Sequence, residues 1–160
     1  MDKETARQLA RQGYSVEKQL GAGAFGVVYK AVKLGQPFAV KVIDLGKADS
    51  RSKSTYLPRE LKALIGAKDE HLIHVYDVIR ANRKMCIFME FAGNGDIFSY
   101  ARKNKGIREA LACQWFYQVG SGLFFLHEKM LMAHRDIKLD NMLLDAKWVA
   151  KVSWDGACQT

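Results

Sequence analysis

Cysteine, proline and long apolar runs are all scarce in this chain. Its 160 residues include 3 cysteines and 2 prolines, and none of Cys86, Cys113 and Cys158 stands in a C-x-x-C pair. Neither a disulfide framework nor a zinc site is indicated, so a reducing compartment is expected. The N-terminus is charged rather than apolar, and no run approaches the length of a membrane span. We therefore expect a cytoplasmic protein without a membrane partner.

Low-complexity tracts and internal repeats are also missing. Hydrophobic residues make up 49% of the sequence and charged residues 26%, which is the composition of a folded globular protein rather than a disordered one. The formal net charge is +8, but the basic residues are scattered, with modest concentrations at 47–53 and 102–108. Such a distribution is typical of solvated loops, so no nucleic-acid partner is expected.

The periodicity of the apolar residues predicts an α+β fold. Helix signals include Gly13 after the first helix and Pro58 in the first turn of the second. A five-stranded antiparallel sheet with one helix is expected to precede a mainly helical part. Strands are predicted at 14–20, 27–32, 38–43, 71–79 and 84–91, a short hairpin at 142–144 and 149–153, and helices at 3–12, 57–66, after Gly95 and at 108–129.

A glycine-rich stretch separates the first two predicted strands. Gly21, Gly23 and Gly26 form the pattern G-x-G-x-x-G. A dinucleotide-binding fold would place this pattern at the start of a helix, whereas a position between two strands is typical of a loop that covers nucleotide phosphates. An ordinary glycine-rich hairpin turn is the alternative. Val28, two residues after Gly26, favours the phosphate-binding interpretation.

A single lysine, Lys41, interrupts the apolar run of the third strand. A buried lysine is costly unless it is paired, so Lys41 predicts an acidic partner elsewhere. Glu60, 19 positions later on the predicted helix 57–66, is the candidate. The alternative is an exposed glutamate that contacts charged neighbours on its own helix.

Residues 134–141, with the sequence His-Arg-Asp-Ile-Lys-Leu-Asp-Asn, combine an acid, a base and an amide at fixed offsets. An aspartate at 136 can accept a hydroxyl proton, a lysine at 138 can steady a phosphoryl group, and an asparagine at 141 can hold a metal ion. A charged surface turn would explain the charges but not the full arrangement. The stretch therefore predicts a catalytic loop.

Taken together, these motifs resemble those of the eukaryotic protein kinases, with G-x-G-x-x-G-x-V, a strand lysine, a helix glutamate and H-R-D-x-x-x-x-N in the family order. Lys138 is similar to the serine/threonine class. The surroundings of Glu60 and Asp96 resemble the testis-specific serine/threonine kinases of the calmodulin-dependent kinase group. The likeness implies an N-lobe at 14–90 and a partial C-lobe at 91–153, preceded by an N-terminal helix or tail at 1–13 and followed by a divergent tail at 154–160.

This resemblance implies transfer of the γ-phosphoryl group of ATP to serine or threonine of protein substrates, with Mg²⁺ as the metal. Asp136 would accept the hydroxyl proton, and Lys138 would steady the transferred group. Lys41, held by Glu60, would bind the phosphates, and Asn141 would bind Mg²⁺. The resemblance assigns to the nucleotide Gly21, Gly23, Phe25, Gly26, Val28, Ala39, Lys41, Met89 as gatekeeper, Glu90 and Ala92 as hinge, Asp96 at the ribose, and Leu143. An aspartate at a helix start is also commonly a cap, which is the alternative for position 96.

The principal metal ligand of the family is missing from its expected place. Counting from Asn141 puts Trp154, Asp155 and Gly156 where kinases have Asp-Phe-Gly. A one-residue slip would bring Asp155 to the metal; alternatively, Trp154 fills the metal site of a catalytically silent pseudokinase that binds nucleotide or acts as a scaffold. In the favoured interpretation the likeness ends at Ser153 and an unrelated tail follows, because no activation loop or later helix is present.

The missing helices have an energetic consequence. A stripe of apolar core residues is predicted on the helix 108–129 and requires partner helices to cover it. Its members are Leu111, Ala112, Trp115, Phe116, Val119, Leu123 and Leu126. Each large side chain contributes about 1.5–3 kcal/mol when it is buried. We expect a chain that is marginally stable, prone to aggregation, or dependent on a chaperone or regulatory partner.

Overall fold

The computed structural model describes residues 1–23, 26–46 and 65–153, which fall into two compact units. The first contains Met1–Ile65 and Val75–Phe91, and the second contains Gly66–His74 and Ala92–Thr160. Nearly all of the predicted helix 57–66 lies outside the described residues. Within the described part of the chain, no helix has both the length and the hydropathy that a membrane crossing requires.

The first unit is built on a five-stranded antiparallel sheet, as the sequence predicts. Its strands lie in the order β1-β2-β3-β5-β4. The fourth strand starts later than predicted, because His71–His74 belong to the second unit, where Leu72 pairs with Val152. The bounds are Ser15–Gly23 for β1, Gly26–Lys33 for β2, Gln36–Asp44 for β3, Val75–Ala81 for β4 and Lys84–Glu90 for β5.

One face of this sheet carries the core of the first unit. Directly paired residues of antiparallel strands share a face, so the pairs Tyr29 with Val40 and Val40 with Phe88 define it. Helix α1, Lys3–Arg11, adds the fully buried Leu9 to the same cluster. Tyr14 stacks on Phe88 with ring centroids 3.9 Å apart. The opposite face is therefore left for Ala39 and Lys41, which alternate with Val40 along β3.

Helix α1 has a defined start. The Asp2 side chain accepts from the Thr5 backbone N–H at 2.9 Å, and its other oxygen lies 2.6 Å from Lys84 Nζ. The helix continues to Arg11, and Gly13 follows with a φ of 85°, the left-handed conformation that a glycine after a helix supplies. The predicted N-terminal segment is thus a helix rather than a frayed tail.

The second unit combines two α-helices with a small hairpin. Helix α2 spans Ile97–Lys103, and helix α3 spans Glu109–Phe124 and continues as a π-helical turn at Phe125–Lys129. Strands β6, Met142–Leu144, and β7, Ala150–Val152, pair in antiparallel fashion after a 3₁₀ turn at Leu139–Asn141. The single helix predicted over 108–129 therefore changes its hydrogen-bonding pattern in its last turn.

Helix α3 buries only some of its apolar residues. Trp115, Val119 and Leu126, on α3 and the turn after it, are buried, as expected for core positions. Phe116 was predicted on the same core stripe, but it is 82% exposed. It lies one residue beyond Trp115, and therefore about 100° around the helix from it. The core of the second unit thus occupies a narrower stripe than the sequence predicts.

Candidate active site

The glycine-rich stretch forms the end of the β1–β2 hairpin. Gly23 pairs with Gly26 across the hairpin, and Gly21 pairs with Val28. A Cβ on Gly26 would lie 2.4 Å from the Val42 carbonyl oxygen, whereas a Cβ on Gly21 or Gly23 would meet nothing within 4 Å. Gly26 is therefore required by the sheet itself. Gly21 and Gly23 border open space, which is the room that nucleotide phosphates would need.

Lys41 lies in the middle of β3 and is only 4% exposed. It pairs with Val28 on one side and Ile87 on the other, while Ala39, two residues earlier, pairs with Met89. Residues two apart on a strand share a face, so these side chains lie on one face of the sheet. Four of the residues that the sequence assigns to the nucleotide thus share this face: Val28, Ala39, Lys41 and Met89. The core that includes Leu9 of α1 lies on the opposite face.

The predicted catalytic loop, residues 134–141 of the second unit, holds its aspartate, lysine and asparagine in direct contact. Lys138 Nζ lies 2.9 Å from Asp136 Oδ2, and Asn141 Nδ2 donates to the same oxygen at 2.8 Å. The hydrogen bond from Lys138, followed by that from Asn141, lowers the pKa of Asp136 below its ordinary value. The carboxylate is thus charged down to a lower pH than an ordinary aspartate.

His134 ties this loop to the end of the hairpin. It is 2% exposed. The Asp136 backbone N–H donates to its Nδ1 at 3.2 Å, and its Nε2 lies 2.8 Å from the Ser153 carbonyl oxygen. Because a backbone N–H can only donate and a carbonyl can only accept, Nδ1 is the acceptor and Nε2 carries the proton in this arrangement. The histidine therefore bridges Asp136 and the residue that precedes Trp154.

Asn141 is oriented so that its amide oxygen can serve a cation. Its Nδ2 donates to both the backbone oxygen and the carboxylate of Asp136, each at 2.8 Å. With the amide protons directed at Asp136, Oδ1 is the atom that can act as a ligand, and Mg²⁺ prefers oxygen ligands. Asn141 therefore fits the metal role, while Asp155 and Trp154 lie outside the described residues. Within residues 1–23, 26–46 and 65–153, no cluster of three or more His, Cys, Asp or Glu side chains is placed to bind a metal.

Asp96 caps a helix in this structure. Its two carboxylate oxygens accept from the backbone N–H of Ser99 at 2.7 Å and from the Ser99 hydroxyl at 2.9 Å, at the start of α2. Asp96 is only half-buried, and each oxygen of an ionised carboxylate can accept a second hydrogen bond, so the cap leaves room for a bond from a ribose hydroxyl. Asp96 also forms a β-bridge with Leu143, which brings two nucleotide-assigned residues into register within the second unit.

The remaining assigned residues are distributed between the two units. Glu90 ends β5 in the first unit, and Ala92 begins the stretch of the second unit that leads to α2. Phe25 and Glu60 lie outside the described residues, so the predicted ion pair of Lys41 and Glu60 stays a prediction.

Sequence reasoning missed several polar side chains that support the site. Asn94 and Trp115 bind the backbone of the β6–β7 turn, and Gln118 binds the first residue of β7, each from a position more than 30 residues away in sequence. Lys151, on β7, is buried at 8% exposure and was not singled out either. A lysine in a three-residue strand was a possible signal, but no local pattern identifies the other three.

Comparison with known proteins matches residues 14–158 to the family model described as "Protein kinase domain". This match runs past Ser153, so the likeness to the family does not end at Ser153, as the sequence had predicted.

The chain is 37% identical over 138 residues to the human testis-specific serine/threonine-protein kinase 4, covering 85% of this chain and 42% of that protein. It is 32% identical over 161 residues to CBL-interacting serine/threonine-protein kinase 13 of Arabidopsis thaliana, covering 92% and 32%. It is 36% identical over 138 residues to serine/threonine-protein kinase atg1 of Dictyostelium discoideum, covering 82% and 20%. The chain thus spans less than half the length of each of these relatives.

Proposed function

This chain belongs to the protein kinase family, and we propose that it forms the nucleotide-binding and catalytic-loop part of a serine/threonine kinase. This proposal rests mainly on the arrangement of Asp136, Lys138 and Asn141. One oxygen of the Asp136 carboxylate lies 2.9 Å from the Lys138 ammonium and accepts from the Asn141 amide at 2.8 Å. A surface turn has no need of an oriented, charged carboxylate. Proton acceptance from a substrate hydroxyl does need one.

In the proposed reaction, a serine or threonine hydroxyl of a protein substrate attacks the γ-phosphorus of ATP, and ADP leaves as the bond to the β-phosphate oxygen breaks. Asp136 orients the hydroxyl and receives its proton on Oδ1, since Oδ2 is held by Lys138 and Asn141. Lys138 places its positive charge beside the transferred phosphoryl group, which stabilises the developing negative charge.

The first unit supplies the groups for the nucleotide. Gly21 and Gly23 leave room for phosphates above the hairpin, and Lys41 provides the positive charge that binds them, in a pair with Glu60. Val28, Ala39 and Met89 offer an apolar surface to adenine, and the backbone groups of Glu90 and Ala92 are its hydrogen-bonding partners.

Mg²⁺, when bound, would screen the phosphate charges during transfer. Asn141 would hold it through Oδ1, and Asp155 is the candidate for a second ligand. The ribose role of Asp96 and the apolar contact of Leu143 complete the proposed site. A chaperone or regulatory partner is also part of the proposal, because the second unit exposes the aromatic residues Phe116 and Tyr117.

The test is transfer of labelled γ-phosphate from ATP to serine/threonine peptides by the 160-residue chain. Replacing the proton acceptor in Asp136→Asn is expected to lower the transfer rate by about 10²- to 10⁴-fold while leaving ATP affinity within about twofold. Asp140→Asn is the matched control, because Asp140 is an exposed carboxylate of the same loop.

Two other results would contradict the proposal. Binding of ATP without transfer would identify a catalytically silent nucleotide-binding module, and metal-independent stabilisation by ATP in a thermal melt would accompany it. Equal transfer rates in Asp136→Asn and wild type would show that Asp136 is not the proton acceptor.

A further inference from the structure

The β6–β7 hairpin is too small to hold its own position. Each strand has three residues, and isolated two-stranded hairpins are marginally stable in water. Its turn is closed locally by Asp145, whose Oδ1 accepts from the backbone N–H groups of Lys147 at 2.8 Å and Val149 at 2.9 Å. These bonds fix the shape of the turn, but they do not fix its place in the second unit.

The backbone of residues 71–73 pairs with Val152 of β7, and three distant side chains add to that placement at the turn end of the hairpin. Asn94 Nδ2 donates to the Asp145 carbonyl at 2.7 Å, and Trp115 Nε1 donates to the Trp148 carbonyl at 3.0 Å. Gln118 Oε1 accepts from the Ala150 N–H at 2.9 Å. These three side chains are called the turn clamp below. Two of its members lie on α3, and the third lies in the stretch that leads to α2.

Asn94 differs from the other two members because its own backbone is also bonded to the hairpin. Its N–H donates to the Leu144 carbonyl at 3.1 Å, and the Leu144 N–H donates to the Gly95 carbonyl at 2.7 Å. Asp96 adds a β-bridge to Leu143. The Asn94 side chain therefore completes a continuous attachment of residues 94–96 to β6 and the turn.

The other end of the hairpin carries the catalytic loop. The Ser153 N–H donates to the Asn141 carbonyl at 2.9 Å, and Ser153 is bound in turn by His134. Three strand residues span about 10 Å, so a tilt of the turn is transmitted to both Leu143 and Asn141. Leu143 lies nearer than Asn141 to the turn in sequence. It also pairs directly with Asp96, two residues after Asn94.

We infer that Asn94 is a positioning residue for nucleotide binding, which acts by fixing hairpin β6–β7 so that Leu143 meets the adenosine part of the nucleotide. This inference rests on the proposed function. It makes a distinct statement, because Asn94 acts through the turn and not by contacting the phosphates or the metal.

The experiment compares Asn94→Ala and Asn94→Asp with Asn104→Ala in the 160-residue chain. Aspartate keeps the size of Asn94 but cannot donate to the carbonyl. Asn104 is the matched control, since its Nδ2 makes the same kind of bond, to the Tyr100 carbonyl at 2.8 Å, at the end of α2. Calorimetric affinities for adenosine and for ATP, with and without Mg²⁺, are measured beside the amide hydrogen exchange of Leu144.

Both Asn94 variants are expected to bind adenosine and ATP about threefold to tenfold more weakly, by the same factor for the two ligands and regardless of Mg²⁺. The Leu144 amide is expected to exchange faster in both, while Asn104→Ala keeps wild-type affinity. A merely structural role would lower the melting temperature without this ligand pattern.

Three outcomes would overturn the inference. If wild type binds adenosine and both Asn94 variants bind it equally well, the inference fails and the proposed function stands. Weakening confined to Mg²⁺-loaded ATP would place the effect at Asn141 rather than Leu143. If wild type binds neither ligand, the proposed function fails together with the inference.

Discussion

At the scale of single residues, the site depends on how each carboxylate is held. Lys138 and Asn141 donate to the same oxygen of Asp136, which lowers the pKa of that carboxyl. Both carboxylate oxygens of Asp96 accept hydrogen bonds from Ser99, so Asp96 caps α2. Identical side chains thus take different roles according to the donors around them, and donors can be tested one at a time.

Lys138 should control the pKa of Asp136. A lowered pKa keeps the carboxylate charged to a lower pH than an ordinary aspartate, so removing the main cause should raise the pKa toward its usual value of about 3.9. We expect Lys138→Met to shift the titration of the Asp136 carboxyl carbon, followed by NMR, upward in pH. Lys147→Met, on an exposed lysine of the hairpin turn, should leave it unchanged. An identical titration in wild type and Lys138→Met would contradict the assigned cause.

The ion pair of Asp2 and Lys84 should make stability depend on pH. The hydrogen bond from Lys84 lowers the pKa of Asp2 well below its ordinary value. A lowered carboxyl pKa stabilises the fold above the unfolded-state value, about 3.9, and this contribution is lost as the pH falls through the folded-state value. Asn at position 2 can still cap the helix through its amide oxygen, so Asp2→Asn keeps the cap and removes the charged oxygen that Lys84 contacts.

Denaturant unfolding of Asp2→Asn should therefore show a loss at pH 7 that shrinks as the pH is lowered below about 4. Because both side chains are partly exposed, the loss should not exceed about 1 kcal/mol. Glu4→Gln, on an exposed first-turn acid of the same helix, is the control. A loss independent of pH would show that the ion pair is not its source.

At the scale of elements, local patterns predicted the five strands of the antiparallel sheet, whereas the order in which they lie came from the structure. The alternation of Ala39, Val40 and Lys41 already separates a core face from a polar one. The start of β4 was predicted too early, because the apolar Leu72 and Ile73 are buried in the second unit, where the backbone of residues 71–73 pairs with Val152 of β7, about 80 residues away. The clamp residue Asn94 has no local signal either, since its partner lies 51 positions on. The start of β4 and the role of Asn94 could not be predicted from local patterns, because contacts between distant segments determine both.

The two glycines of α3 provide a test of helix packing. A Cβ on Gly122 would lie 2.5 Å from the His71 carbonyl oxygen, whereas a Cβ on Gly120 would meet nothing within 4 Å. Gly122→Ala should therefore destabilise the chain by about 1–3 kcal/mol, because a backbone atom must move. Gly120→Ala in the same helix should instead stabilise it by up to about 1 kcal/mol, through better helix propensity. Equal effects of the two substitutions on the free energy of unfolding would show that α3 does not approach His71 this closely.

At the scale of the whole molecule, α3 exposes three aromatic side chains to water, which is unfavourable for a molecule in solution. Phe116, Tyr117 and Phe124 are 82%, 76% and 62% exposed. At about 100° per residue, all three lie roughly 100–200° around α3 from Trp115, outside the stripe that is buried. Contiguous exposed apolar surface of this kind promotes association between molecules.

We expect the isolated chain to self-associate through this face. The double variant Phe116→Ser with Phe124→Ser should raise the monomer fraction in analytical ultracentrifugation. Serine and phenylalanine have similar helix propensities, so the free energy of unfolding should change by less than about 1 kcal/mol. Leu34→Ser is the control, since Leu34 is 95% exposed but belongs to the first unit and is not part of α3. If the wild-type chain remains monomeric at the highest soluble concentration and melts cooperatively and reversibly, the exposed face is tolerated in water, and the expected dependence on a partner falls with it.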